Sequence, residues 1–343
     1  MIEKIRIILR KTRRFQALIV VLAALCLPVF LVFNFSLNEH YGAFNKHSVV
    51  AQEVNVPIKC SELKNLYIEA SDIKLELGMV NSITEPKITL SGKGHTDQTV
   101  KVDLSDNSCS IHLEGLHANP NELTLQILLP QSKLNNVEIN GKNVNLHVER
   151  LRSDYIKTAS KDGYGYFRDL KVKGFEASVL NTPLRLFENR AVQVNIKGSD
   201  KSVSLLENNL QQINVETNDG QIFVYDYNMD GQWKLNSGNG DITMLTKKLP
   251  YDMLLDLNTA KSAKVNMNFK ERFWKRADIV EQTKSAYYGS VGRNPTKVIV
   301  CQSDNGKISI GKRTRYSELD PFKDEYPYAN VNPYEIERST KVK

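Results

Sequence analysis

The feature that most limits the folds open to this chain is a rhythm of about twenty residues. Apolar positions Ile139, Ile156, Phe175, Ile196, Val215, Leu235 and Leu255 follow one another at gaps of 17 to 21 residues, each inside a run where apolar and polar side chains alternate. Alternation of this kind marks strands that bury one face. The best-matched units are Ile213-Asn-Val-Glu-Thr-Asn-Asp-Gly-Gln-Ile222 and Trp233-Lys-Leu-Asn-Ser-Gly-Asn-Gly-Asp-Ile242, offset by 20 throughout, so that Gly220 aligns with Gly240 and Ile222 with Ile242. A related unit returns at Val298-Ile-Val-Cys-Gln-Ser-Asp-Asn-Gly-Lys-Ile308. A fixed period near twenty means that each unit is one turn of a repeating architecture.

The unit has a simple chemistry. Two inward apolar strand positions lead into a polar corner of Asn and Asp, then a glycine expected to supply a positive φ, then an inward Ile that opens the next strand. Stacked coils of this kind make a β-solenoid with two or three short strands per turn and a continuous apolar strip inside. The ladder from Ile139 to Leu255 is therefore expected to lie as successive rungs. A β-sandwich, whose strands recur every 8–12 residues, doubles to a similar interval, but it does not require the glycine and the following Ile to repeat in register. The repeat is least marked at 150–190, where Lys161-Asp-Gly163 is a weak glycine corner and the Phe175 coil has none.

Upstream, Leu66 to Leu77, Lys87 to Leu90 and Val100 to Leu104 alternate without the glycine corner. They read as strands that begin or cap the stack, because solenoid ends need protection from edge pairing. The expected class is all-β, a β-solenoid or β-helix-like ectodomain carried by one N-terminal transmembrane α-helix. The divisions read from the sequence are a basic segment 1–14, a membrane helix 15–36, a linker and capping region 37–120, the solenoid 121–311, and a tail 312–343.

The membrane helix rests on Phe15 to Phe33, whose one strongly polar member is Gln16. Nineteen helical residues reach about 28 Å, close to the hydrocarbon thickness of a bilayer. Residues 1–14 carry six cations against Glu3, so most of the formal charge of +7 sits immediately before this span. By the positive-inside rule the N-terminus stays in the cytoplasm and the bulk of the chain lies outside. A cleaved signal peptide shares the basic start, but its apolar region is shorter and is closely followed by a small-residue cleavage site. The remainder of the chain is nearly neutral, which argues against a nucleic-acid partner.

No catalytic, cofactor or metal constellation is read. Motifs of serine hydrolases, zinc proteases and nucleotide-binding loops are missing, and Ser61-x-x-Lys64 and Ser71-x-x-Lys74 lack companion motifs. His112 and His117 are five apart without partner ligands. Asp219, Asp241 and Asp304 sit at corners, where turn chemistry accounts for them. Cys60 and Cys109 are the pair expected to bridge in an oxidising compartment, and Cys301 reads as a small buried strand residue.

Leu129-Pro-Gln-Ser-Lys-Leu-Asn-Asn-Val-Glu-Ile139, the Val/Leu-x-Thr/Ser-x-x-Gly-x-Ile units and Tyr288-Gly-Ser-Val-Gly292 before the last repeat resemble the bacterial "putative adhesin" repeat domains over about 122–311. That resemblance implies an extracytoplasmic solenoid-like module with a surface or envelope role.

Two segments interrupt the rhythm. Phe269, Phe273, Trp274, Lys275 and Arg276 belong to a basic aromatic stretch that reads either as a lip touching a partner or anionic lipid, or as an edge strand and loop covering the end of the stack. The tail carries Tyr326, Tyr328 and Tyr334 among Pro321, Pro327 and Pro333, anchors that could lie on the solenoid or on a partner. The function expected from these readings is a non-catalytic, adhesin-like or scaffold module that binds a protein or an envelope polymer. The alternatives are an accessory subunit of an integral-membrane transporter or stress assembly and, last, a polysaccharide-active enzyme.

Overall fold

A computed structural model describes residues 48–55, 63–94, 98–105, 107–114, 122–198, 200–226, 229–248, 251–260, 262–269 and 277–312. The chain divides into two units, Met1–Ser48 and Val49–Lys343, and the fold described below is that of the second. The basic segment, the expected membrane helix and the tail beyond Lys312 lie outside the described residues. Among the described residues no helix occurs, so none is long and apolar enough to cross a membrane.

The strands in chain order are β1 (Ser48–Asn55), β2 (Asn65–Val80), β3 (Lys87–Gly94), β4 (Thr99–Ser105), β5 (Ser108–Glu114), β6 (Leu123–Pro130), β7 (Leu134–Glu149), β8 (Arg152–Arg168), β9 (Lys171–Leu180), β10 (Leu184–Phe187) and β11 (Arg190–Gly198). They continue as β12 (Val203–Leu206), β13 (Asn209–Thr217), β14 (Ile222–Asp226), β15 (Gln232–Ser237), β16 (Ile242–Thr246), β17 (Met253–Thr259), β18 (Val265–Asn268), β19 (Ala277–Gln282), β20 (Ala286–Val291), β21 (Lys297–Ser303) and β22 (Ile308–Lys312).

Each coil contributes two strand segments, and equivalent segments of successive coils pair in parallel. The first ladder runs β2, β7, β8, β9, β11, β13, β15, β21, β17. The second runs through the C-terminal halves of β2, β7 and β8, then β10, β12, β14, β16, β22, β18. One inward column of the first ladder is Leu66, Val137, Ile156, Phe175, Val194, Ile213, Trp233, Ile299 and Leu255. The second ladder answers with Leu75, Leu146, Gly165, Leu184, Val203, Ile222, Ile242, Ile308 and Val265. Side chains of both ladders join one core cluster. Full burial of a Leu, Ile or Val is worth about 1.5–3 kcal/mol, so these columns supply the main cohesion between rungs.

One end of both ladders and the far end of the first finish in antiparallel strands. At one end β5 pairs with β2 and carries β4, while β6 pairs with the second half of β2 and carries β3. At the other end β20 pairs antiparallel with β17 and carries β19. Such terminal strands close off the ladder against further pairing. The segment after Phe269 thus ends in a terminal strand, β19, with Val280 73% exposed.

Four details of the expected stack are corrected. First, residues 150–190 stack without interruption. Gly163 takes a positive φ of 122°, and the other corners use left-handed residues in place of glycine: Arg150, Asp169, Glu188 and Glu207 recur every 19 residues with φ from 47° to 56°, and a second column holds Asp72, Asn143, Asp162 and Asn181. Asn143 donates to Asp72 and Asn181 to Asp162, each at 2.7 Å, which helps hold a conformation most side chains avoid.

Second, the corner glycines Gly220, Gly240 and Gly306 are not among the positive-φ residues. They are required by close approach of one coil to the next. A Cβ on Gly240 would stand 2.5 Å from the Gly220 carbonyl carbon, and one on Gly306 would collide with the Gly240 carbonyl group. Ser237 Oγ accepts the Gly240 N–H at 2.9 Å and donates to the Gly220 carbonyl at 3.1 Å. Ser303 repeats this with Gly306 and Gly240, at 2.8 and 3.1 Å.

Third, the apolar ladder slips by two residues at two steps: Ile139 lies beside Thr158, and Phe175 beside Val194. Each coil has two inward positions of equal apolar character, so the spacing alone does not choose between them. Fourth, the Leu255 coil does not follow the Leu235 coil. The β21–β22 coil lies between them, with Cys301 facing Leu235 on one side and Leu257 on the other.

Candidate binding face

Two columns of the first ladder point away from the core. One reads Asn65, Asn136, Tyr155, Gly174, Gln193, Gln212 and Gln232 across successive rungs. The other reads Tyr67, Glu138, Lys157, Glu176, Asn195, Asn214 and Lys234. Parallel pairing in register forces like positions of each coil into these rows, so a residue repeated at the coil period becomes a chemical stripe.

Tyr155 is the focus of the face. It is 57% exposed, and its neighbour in the ladder is Gly174, whose absent side chain leaves the sheet open beneath the ring. A Cβ at Gly174 would lie 2.6 Å from the Tyr155 Cδ1, so the tyrosine ring rests across the glycine. Around it Tyr67, Glu138, Lys157, Phe175, Glu176, Gln193 and Asn195 border a shallow groove of about 420 Å³. A second groove of about 490 Å³ continues from Gln193 and Asn195 past Gln212, Asn214 and Gln232 to Trp233, Lys234 and Val298.

The face offers an aromatic platform, rows of amides that both donate and accept hydrogen bonds, and carboxylates alternating with an ammonium at Glu138, Lys157 and Glu176. These groups suit recognition of a hydroxyl-rich or amide-rich chain laid across the rungs. A hollow of about 690 Å³ opens at the bend of the same ladder, lined by Glu69, His112, Glu114, Lys142 and Lys161 among others. There His112 Nδ1 lies 3.3 Å from a Glu69 oxygen.

Among the described residues no group of three or more potential metal ligands is assembled. Lys74, of the serine-lysine spacings, pairs with Glu76 at 2.5 Å. Corner acids do corner work: Asp219 accepts from the Asn239 side chain, and Asp241 accepts the Lys307 N–H at 2.7 Å. Phe269 is 9% exposed and belongs to the core. Phe273, Trp274, Lys275, Arg276, Tyr326, Tyr328, Tyr334, His117 and Cys60 lie outside the described residues. Cys109 is buried on β5, where burial, with Asp103 adding to it, pushes the thiol up to about 11.

Sequence reasoning passed over Tyr155, Gly174 and the glutamine row. The signal was present in the 19- and 20-residue offsets that place Gln193, Gln212 and Gln232 in one column, but it shows only once the pairing register is known.

The architecture defines a class: two parallel ladders wound as a solenoid, closed by antiparallel strands at one end of both ladders and at the far end of the first, with a polar outward face. The chain belongs to the Toastrack DUF4097 family, whose model matches residues 44–311. Among solved structures it is similar to a "putative adhesin" from Parabacteroides merdae, at 14% identity over 78% of this chain and 97% of that one, TM-score 0.46. It is also similar to one from Parabacteroides distasonis, at 12% identity over 78% and 98%, TM-score 0.45. No curated protein matches the chain.

Proposed function

We propose that this protein is a single-pass, membrane-anchored, extracytoplasmic binding module, non-catalytic, that holds an envelope polymer or protein on the outward face of its first ladder. The observation that carries this reading is Tyr155 lying across Gly174 at the head of the amide row. A tyrosine ring offers a partner an apolar body and a polar hydroxyl together, and the neighbouring amides are placed to complete such a contact. The basic segment 1–14 and the apolar segment 15–36 support the anchor and its orientation.

Full-length protein in mild detergent, immobilised and incubated with isolated envelope polymers and membrane extract, tests the reading. Retention of a polymer or protein that drops at least several-fold in Tyr155→Ala, with the unfolding midpoint unchanged, supports it. Equal retention by the variant refutes the assignment of the face. Exposed Ile279 and Val280 on β19 favour the accessory-subunit reading as the second choice. That reading is supported by a stoichiometric integral-membrane partner lost in Val280→Lys but kept in Tyr155→Ala.

A further inference from the structure

Three cations stack where strands of the first ladder begin. Arg152 of β8 is the register partner of Lys171 of β9, and Lys171 of Arg190 of β11. All three are exposed, and at about 4.8 Å per rung the row spans about 10 Å along the stack. Among the described residues none of the three side chains makes an ion pair or a hydrogen bond. Like charges side by side repel, and neighbouring columns avoid this by alternation. Asp154 is shared by Lys133, at 2.5 Å, and Lys173, at 3.2 Å, and Lys157 lies between Glu138 and Glu176. Acids also stand at the corner before each strand, but Glu188 is taken by Arg168 and Glu207 by Lys247, and Asp169 makes no ion pair.

The row shares the outward face that carries Tyr155. Ser153, Val172 and Ala191, the next position of each strand, turn toward the core, and the column of Tyr155, Gly174 and Gln193 then comes out again. The cations therefore border the aromatic platform and the start of the amide row.

We propose that Arg152, Lys171 and Arg190 bind the oxyanions of a hydroxyl-bearing polyanionic chain, its phosphodiester or carboxylate groups on the cation row and its hydroxyls on the amide column. The inference deepens the reading of this face given above and rests on it. A guanidinium fork takes two oxygens of a phosphate or carboxylate at once, and the ammonium between the two forks acts as a point charge. An oxyanion seated between rungs replaces repulsion between two cations with attraction to both. The amides beside the row select a linear chain over a lipid surface. A membrane is held by many cations spread over an area, with apolar side chains inserted, whereas here one narrow row of charge runs beside one row of donors and acceptors.

Binding of poly(glycerol phosphate), polygalacturonate, uncharged dextran and phosphatidylglycerol vesicles to the full-length protein in phosphatidylcholine nanodiscs, at rising salt, tests the inference. At least one polyanion is expected to bind several-fold more tightly than dextran and to weaken as salt rises; preference between the two separates phosphate from carboxylate recognition. Arg152→Gln, Lys171→Gln and Arg190→Gln combined should lower that affinity several-fold and flatten its salt dependence, with the unfolding midpoint unchanged. Lys201→Gln, Lys264→Gln and Lys307→Gln combined, which remove the same charge from exposed sites elsewhere, should bind as the unaltered protein does. Failure to bind either polyanion, equal loss in the two triple variants, or tighter binding to the vesicles than to both polymers overturns the inference. Retention of an envelope polymer that needs Tyr155 but not the three cations overturns it while leaving the face in place. Polyanion binding that needs the cations but not Tyr155 keeps the cation row as an oxyanion site and refutes the role given to the ring.

Discussion

Asn208 Oδ1 accepts the backbone N–H of Asn189, one coil away, at 2.8 Å. Asn189 does the same for Leu170 N–H at 2.9 Å, and the two Nδ2 groups donate to the Phe167 and Leu186 carbonyls at 3.0 Å. Both side chains are buried, at 2% and 6% exposure. The corner between the second strand of one coil and the first of the next is therefore held by a side-chain ladder that satisfies backbone groups water cannot reach.

Asn208→Ala strands the Asn189 N–H, while the Leu186 carbonyl loses one bond but keeps its place in the parallel ladder of β10 with β12. An unsatisfied buried group costs about 1–3 kcal/mol, so a loss of about 1–3 kcal/mol is expected from the shift of the urea midpoint. A change below 0.5 kcal/mol, roughly the scatter of ordinary surface substitutions, contradicts the ladder.

Gly240 and Gly78 make a matched pair. A Cβ at Gly240 meets the Gly220 carbonyl group, whereas the nearest atom to a Cβ at Gly78 is the Glu149 carbonyl oxygen at 3.4 Å. Gly240→Ala is expected to destabilise by about 1–3 kcal/mol through overpacking, and Gly78→Ala by far less. Equal effects in denaturant unfolding would show that coil spacing relaxes at the glycine corner.

Glu76 sets an acid limit on stability. Burial alone would raise its carboxyl, but Lys74 at 2.5 Å and a hydrogen bond from Gln126 Nε2 at 2.9 Å outweigh this and hold it below the ordinary value of 4.5. With the folded value below the unfolded one, its contribution is complete above the ordinary carboxylate range and disappears as pH falls through the lowered value. Thermal midpoints should drop below about pH 4.5, and Glu76→Gln should flatten part of that drop.

Cys301 is fully buried between Leu235 and Leu257, and burial, reinforced by Asp256, pushes its thiol far above the ordinary range. Alkylation of Cys301 at pH 8 is expected to proceed at the rate of global unfolding. Rapid labelling of the folded protein would mean that the β21–β22 coil opens by itself.

Much of the solenoid was legible because inward side chains carry it: Ile222, Ile242 and Ile308 align in the sequence and stack in the fold. The exceptions have physical causes. Arg150, Glu188 and Glu207 hold left-handed corners that their side chains do not advertise, since Gly, Asn or Asp is the usual sign of that conformation. The place of Cys301 was hidden because Leu235 and Leu257 are interchangeable apolar neighbours for it. The binding face was hidden because outward residues are free of the core period, and Tyr155 and Gly174 become neighbours only in one register.

Insertion of β21–β22 between two coils that precede it fixes an order on assembly. As the polypeptide is synthesised, each new coil up to Thr246 can settle on its predecessor, but residues 253–268 emerge before the coil on which they finally rest. Until residues 297–312 arrive, that segment has either no seat or the wrong one, against Trp233 and Leu235. Completion of this end must therefore wait for almost the whole chain, and a nascent protein halted near residue 290 would carry an open stack edge for a chaperone or protease to recognise.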